Sequence, residues 1–381
     1  MINVFQPSLG EMELEAIRNV FNSNWIGRGK KVEEFERKFA EYQGVLPWQM
    51  ISTTCATEGL FGVLEILNLT PGDEVIIPTI GFVAKASAVC HVGAKPIFCD
   101  VDPITLNATL ENIQSVFTDK TKAVVLNHYG GYPAEIDKIA DFCKEKNLIL
   151  IEDAACAIGS SVKNKKVGTY GDFAVWSFDS MKILVTADGG MIYCKDEALS
   201  KKLREHLYLG LMEGKASGLE KSKGTKDRWW EYEVSQFGRR AIMNDMTASI
   251  GLVQLERLPK FLDRRQKIAQ YYSESLKSVP GLTISPEPRT GDLVTYYLYW
   301  IQLEKRDELA HYLLENNIYT TFRYWPLHKV SKFGHDQNIK LPNAELAKDI
   351  TLNLPCHQSL TDADVEQVVE VIKKFTRNDK L

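Results

Sequence analysis

Apolar residues recur along this chain with two different periods, and the switches between them outline its organisation. Near the amino terminus, Leu14, Ile17, Val20 and Phe21 repeat at helical spacing across 11–22, and Val32, Phe35 and Phe39 do so across 31–43. A turn carrying Gly27 and Gly29 separates the two. From there to residue 151, short apolar runs at 74–77, 94–99, 123–126 and 148–151 alternate with helical stretches such as 57–67 and 134–146. That alternation predicts a mostly parallel sheet covered by helices on both faces. Two further short runs, 174–178 and 191–194, flank a turn. Across 205–238 the pattern dissolves into Gly, Ser and charged residues, with Trp229-Trp230 near its end, which predicts a long functional or mobile connection. Dense helical spacing then returns through Met246, Ile250, Val253, Leu255, Leu258, Phe261 and Leu262. It predicts a long helix over 245–276, and the absence of proline from 244 to 258 permits one. A strand over 295–303 and helices over 307–316, 344–350 and 362–375 complete a small α+β unit. The expected division is a large domain, 1–245, followed by the linking helix and small domain, 246–381.

Composition changes this picture little. With 381 residues, 44% hydrophobic and 25% charged, the chain has ordinary globular values and room for an extensive core. A net charge of -4 argues against a nucleic-acid binder. The seven cysteines, at 55, 90, 99, 143, 156, 194 and 356, are odd in number and lack Cys-x-x-Cys or Cys/His ligand spacing, so neither a disulfide framework nor a metal site is expected. No basic-then-apolar leader and no bilayer-length apolar run is present, so the expectation is a soluble, cytoplasmic protein without membrane contact. No Gly-x-Gly-x-x-Gly follows the first strand, which leaves a dinucleotide fold without its main support.

Two places carry candidate chemistry. Lys182 sits on the turn between the runs 174–178 and 191–194, and Glu152-Asp153-Ala154-Ala155 follows the apolar run 148–151. An isolated turn lysine is ordinarily solvated. Ligands of α/β sheets collect at strand ends, however, and a lysine and a carboxylate both placed there are what pyridoxal phosphate chemistry needs. The lysine forms a Schiff base, and the acid keeps the pyridine nitrogen protonated.

The segments Glu152-Asp153-Ala154-Ala155, Ser177-Phe178 with Lys182, and Asp188-Gly189-Gly190 together resemble the DegT/DnrJ/EryC1/StrS sugar aminotransferases, and the likeness runs along nearly the whole chain. The resemblance implies an α/β fold of the aspartate-aminotransferase type (type I), with pyridoxal 5'-phosphate on Lys182 and Asp153 at the ring nitrogen. It places Ala56 and Thr57 where the family has Gly-Thr holding the phosphate, with Ser177 adding a hydroxyl and Phe82 stacking on the ring. Residue by residue, the competing readings are a Thr-rich N-cap, a core phenylalanine and a helix-capping carboxylate. Two departures stand out. Cys156 replaces the family's usual Gln, which supports the cofactor hydroxyl. Arg240 replaces an Asn that reaches the phosphate of the neighbouring subunit, which implies a homodimer with shared active sites unless Arg239-Arg240 is a solvated basic pair. Arg323 and His328 match a family segment that approaches the substrate, although a lone His is more often structural.

The implied activity is ping-pong transfer of an amino group, with glutamate as the expected donor and a keto or aldehyde sugar as acceptor, in surface-polysaccharide or modified-sugar biosynthesis. Lys215, Lys221, Lys223, Lys226, Arg228, Arg239 and Arg240 concentrate positive charge and suggest an anionic substrate, unless they form a solvated loop. Two anions satisfy it: a nucleotide-linked 4-keto or 3-keto sugar, or a sugar acid. The surroundings of Lys182 and the presence of Arg240 resemble the family branch that aminates an 8-oxidised 3-deoxy-octulosonic acid, as in lipopolysaccharide biosynthesis. The alternatives are a sugar dehydratase, in which histidine replaces the lysine, and a non-catalytic cofactor-binding protein.

Overall fold

The computed structural model describes residues 1–211, 228, 230–333 and 339–379. Its strands, in chain order, are β1 (Met50–Thr53), β2 (Glu74–Pro78), β3 (Lys95–Cys99), β4 (Thr121–Asn127), β5 (Ile149–Asp153), a short hairpin of β6 (Ser161–Val162) and β7 (Lys165–Lys166), β8 (Phe173–Ser177), β9 (Gly190–Cys194), β10 (Thr283–Ile284), β11 (Tyr299–Gln302) and β12 (Thr351–Leu354). Seven form the central sheet in the order β1-β9-β8-β5-β4-β2-β3. β3, β2, β4, β5 and β8 are parallel, and β9 runs antiparallel to both its neighbours.

The two-residue period of the strands divides the core in two. Ile76, Val124, Leu126 and Leu150 pack with Ile136, Ile139 and Phe142 of the helix Ile136–Glu145. Val75, Ile77, Val125 and Ile151 face the larger cluster on the other side, which includes Val63 and Leu64 of the helix Ala56–Ile66. Both faces of the sheet are therefore covered, as the near-continuous apolar runs require.

The long helix is one element, Asp245–Leu276, and it passes through Pro259 without ending. A proline there forgoes a backbone hydrogen bond. Burial of Leu255, Leu258 and Phe261 against the helices Glu11–Asn22 and Lys30–Gln43 offsets that loss. Gly251 allows the closest approach, since a Cβ there would lie 2.7 Å from Phe35 Cζ. The strand expected over 295–303 shortens to β11, which pairs with β10 and β12. Tyr296 adopts φ +48°, which breaks the pleat just ahead of it. The connection after 205 begins inside the helix Glu197–His206, and its ends run antiparallel through bridges Tyr208–Arg240 and Leu211–Val234. Lys215, Lys221, Lys223, Lys226 and Trp229 lie outside the described residues. Among the described residues no helix is long and apolar enough to cross a membrane.

Glu36 ties the amino-terminal helices to the sheet. Its carboxylate accepts from Ser52 N at 2.9 Å and Ser52 Oγ at 2.6 Å, and it pairs with Arg28 at 3.2 Å and Arg204 at 3.0 Å. Burial pushes its pKa up, but the two guanidinium charges and the Ser52 donors outweigh this and bring it down to about 2. A carboxylate with a depressed folded-state pKa stabilises above its ordinary value and loses that contribution as pH falls towards the folded one. Glu36→Gln is therefore expected to lower stability by about 3 kcal/mol at pH 7. The gap between parent and variant should close as pH falls from 4.5 towards 2. Urea unfolding midpoints at pH 7, 4.5 and 3.5 check both the size and the trend.

Candidate active site

β1 delivers the chain to Cys55, the N-cap of the helix Ala56–Ile66, and no side chain caps that helix start. The Cys55 thiol, a weak acceptor, is the side chain beside the Thr57 and Glu58 N–H groups, and the positive end of the helix lies with them. Gly190 of β9 packs directly behind, where a Cβ would come within 2.6 Å of Ala56 N. Cys55, Ala56 and Thr57 line one wall of a cavity of about 260 Å³.

The facing wall is built on β5, where two adjacent carboxylates point to opposite faces. Glu152 is fully buried and fully engaged. One oxygen accepts from Tyr170 N and Gly171 N, each at 2.7 Å. The other accepts from Gly168 N at 2.7 Å and lies 3.1 Å from His128 Nε2. His128 Nδ1 accepts from Ala134 N at 3.1 Å, so Nε2 carries the ring proton and donates to Glu152. Glu152 thus fastens 168–171 to the sheet and has no capacity left for a ligand. Asp153 lies on the cavity face, 9% exposed, with Ala155 N donating to one oxygen at 3.2 Å. Its register partner on β4 is Asn127, which also lines the cavity.

Lys182 reaches the same space from the turn after β8. That turn is closed by Phe178 N to Gly189 O and Thr186 N to Phe178 O, each 2.8 Å, while Lys182 N donates to Asp179 O at 2.9 Å. The side chain turns inward rather than into solvent. Its Nζ lies 3.5 Å from Cys156 Sγ and 4.7 Å from the centre of the Tyr297 ring. Burial works to lower the pKa of this amine, yet Cys156, Tyr297, Tyr324 and Asp153 together hold it well above its ordinary value.

Ser177 and Cys156 also line the cavity, and Phe82 presents a ring that is 50% exposed, 5.9 Å from Tyr324 and tilted 59° to it. Arg323 lies on the cavity wall with its guanidinium 4.4 Å over Phe5 and Nη2 3.2 Å from Met181 Sδ. One residue proposed from sequence for this cavity, His328, is not brought in, and Arg240, expected to act on the neighbouring subunit, also lies outside it. His328 is buried away from the cavity, with Nδ1 2.7 Å from Thr79 Oγ1 and Nε2 3.4 Å from Glu345, which suits a structural tie. Arg240 is exposed and lies 5.7 Å over the Tyr208 ring, off its own chain's cavity. The sequence reading passed over Asn127, Tyr297 and Tyr324. Asn127 had a usable signal, because it ends a parallel strand as Asp153 does.

An amine, a buried carboxylate, an uncapped helix start and a half-exposed aromatic face, gathered in one cavity, fit the aldehyde, ring nitrogen, phosphate and flat ring of pyridoxal phosphate.

The comparisons with known proteins agree. Residues 7–373 match the DegT/DnrJ/EryC1/StrS aminotransferase family. A dTDP-4-dehydro-2,3,6-trideoxy-D-glucose 4-aminotransferase of Saccharopolyspora spinosa is 50% identical over 376 residues, covering 98% of this chain and 96% of the relative. A GDP-perosamine synthase of Escherichia coli O157:H7 is 32% identical, covering 98% of each chain. Among solved structures, the aminotransferase TlmJ of Streptoalloteichus hindustanus superimposes with a TM-score of 0.94 at 48% identity, covering 100% of both chains. A PLP-form structure of Spr1654 from Streptococcus pneumoniae gives 0.87 at 25% identity, covering 98% of each. With a family match along almost its entire length and a half-identical relative of the same size, the chain belongs to the DegT/DnrJ/EryC1/StrS aminotransferases.

Proposed function

We propose that this sugar aminotransferase uses pyridoxal 5'-phosphate to move an amino group from glutamate to the keto carbon of a nucleotide-linked sugar. The observation that carries the reading is the meeting of the Lys182 amine, the Asp153 carboxylate and the uncapped helix start in one cavity. When bound, the cofactor supplies an electron sink for the pair released as a C–H bond breaks. Lys182 would be its attachment point, and the Nζ, once free, would take the proton from the amine-bearing carbon and deliver it to the carbon the lysine had held. Asp153 favours a protonated ring nitrogen, because an anion beside a pyridinium raises its pKa. Ala56 and Thr57 N–H groups and the Ser177 hydroxyl would hold the phosphate, and Phe82 would offer its face to the ring. The Tyr297 ring and Cys156 keep the Lys182 side chain turned inward.

The nucleotide-linked acceptor is favoured over a sugar acid because the relatives named above carry dTDP- and GDP-linked names. Its pyrophosphate also supplies the anion that the basic residues call for, and Arg323 on the cavity wall is the candidate contact. The 8-oxidised octulosonic acid has no such support and becomes the second arm of the test. Arg240 is assigned to the partner subunit's phosphate in a homodimer, since an exposed guanidinium off its own cavity is free to act across an interface.

In the spectroscopic test, glutamate bleaches the absorbance band of the lysine-bound cofactor, and a dTDP-linked 4-keto-6-deoxy sugar restores it. Restoration by the octulosonic 8-aldehyde in preference to the nucleotide sugar would overturn the assignment of substrate class. A band unmoved by glutamate would sink transamination itself. Lys182→Ala should abolish the glutamate reaction while retaining noncovalent cofactor, and turnover within a few-fold of the parent would remove Lys182 from its role. For the shared site, mixing Lys182→Ala with Arg240→Ala protein should restore part of the activity, because the mixed dimer has one site with neither defect. No recovery after demonstrated subunit exchange would confine Arg240 to its own subunit.

A further inference from the structure

Behind the cavity wall lies a charged group that the proposed chemistry leaves unused. Lys85, in the helix Ala84–His91, is fully buried, and its Nζ donates to Asn127 Oδ1. The pair occupies space that a side chain at 81 would fill, since a Cβ on Gly81 would clash with Lys85 Nζ and lie 3.0 Å from Asn127 Oδ1. Burial draws the Lys85 ammonium down to about 8, with Asp153, Cys99 and Cys156 opposing. At neutral pH it is still charged.

An ammonium has donors and no acceptor, so it settles which way the carboxamide faces: oxygen to the lysine, nitrogen away from it. Asn127 Nδ2 has no partner among the described residues, and Asn127 lines the cavity. Its neighbour in register is Asp153, with Val125 and Ile151 behind them on the same face of the sheet. On the cofactor ring, the carbon bearing the phosphate arm and the carbon bearing the hydroxyl flank the aldehyde carbon on opposite sides. The helix start packs against β9, beside β8, so a phosphate held there lies to one side of β5. The ring oxygen then faces the other side, towards β4 and Asn127. The family resemblance would put a glutamine at that oxygen; here the position is Cys156, whose thiol is a weak donor and lies 3.5 Å from Lys182 Nζ.

We infer that Lys85 is a positioning residue: it locks the Asn127 carboxamide so that Nδ2 donates to the cofactor's ring oxygen, a contact for which the Cys156 thiol is a poor donor. The inference rests on the pyridoxal phosphate reading of the cavity. A donor at this oxygen stabilises its anionic form and so lowers the pH at which the lysine-bound cofactor releases its proton. The lysine acts through the amide, which it prevents from turning its acceptor towards an anion.

The test is a pH titration of the absorbance band in the parent, Lys85→Met, Asn127→Ala and the double variant. Both single variants should move the midpoint up by about one pH unit, the size of one charge-assisted hydrogen bond. The double variant should move it no further. Asn127→Asp supplies an arm that leaves Lys85 in place, and by presenting an acceptor to the ring oxygen it should raise the midpoint beyond Asn127→Ala. In a Lys182→Ala background, Lys85→Met and Asn127→Ala should weaken binding of pyridoxal phosphate about tenfold. They should leave the 3-deoxy analogue, which lacks the oxygen, unaffected. A midpoint moved by Asn127→Ala but not by Lys85→Met would overturn the role of the lysine. A midpoint moved by neither, or equal weakening for both ligands, would overturn the contact itself. Absence of any band in the parent would instead reject the cofactor reading on which the inference stands.

Discussion

The site depends on the two-residue period of a single strand. β5 ends in two carboxylates, and because successive side chains leave a strand on opposite faces, they cannot share a task. Glu152 is saturated by three backbone donors and His128, and so holds 168–171 against the sheet. Asp153 is left on the cavity face with Asn127 beside it. Had the register slipped by one residue, the saturated carboxylate would face the cavity and the free one the packed side. Scaffold and site are thus separated by one peptide unit.

A second regularity is the number of cations held out of water around the cavity of an acidic chain. Lys182 is packed against Tyr297 and Cys156, and Lys85 against Asn127. Arg265, in the long helix, is 1% exposed and meets no carboxylate among the described residues. Its guanidinium donates instead to Tyr296 O at 3.0 Å, to Cys356 O and to Gln358 Oε1 at 3.0 Å. Burying such a charge costs much less when its donors find fixed oxygens. By gripping the carbonyls of 296 and 356, Arg265 fixes the irregular segment that sets the Tyr297 ring over Lys182. The distant helix therefore contributes to the geometry of the amine without touching it.

Much of this was legible in the residue order, for reasons that differ by place. The parallel strands announce themselves as apolar runs because both faces are buried, and strand ends are where such sheets collect polar chemistry, so Asp153 and Lys182 were accessible. Asn127 was passed over, although it ends a parallel strand as Asp153 does, because the apolar run stops at Leu126 and the strand goes one residue further. Lys85 carried no signal either: a lysine in a helix is ordinarily solvated, and only tertiary packing makes it otherwise. Conversely, His328 looked chemical in a motif, yet Thr79 and Glu345 engage it away from the cavity. The strand expected over 295–303 shortened because of one left-handed residue, Tyr296, whose conformation no periodicity encodes.

The cavity draws on residues from Cys55 to Tyr324, which spreads its assembly over the time of translation. At ~5–20 residues per second, the helix start and the last tyrosine leave the ribosome roughly 15 to 50 s apart. Between the synthesis of Lys182 and that of Tyr297, roughly 6 to 23 s at that rate, the amine lacks the ring that packs over it. A growing chain therefore carries that lysine before the residues that pack on it exist. Only once most of the polypeptide has been made does that lysine become selective for one aldehyde.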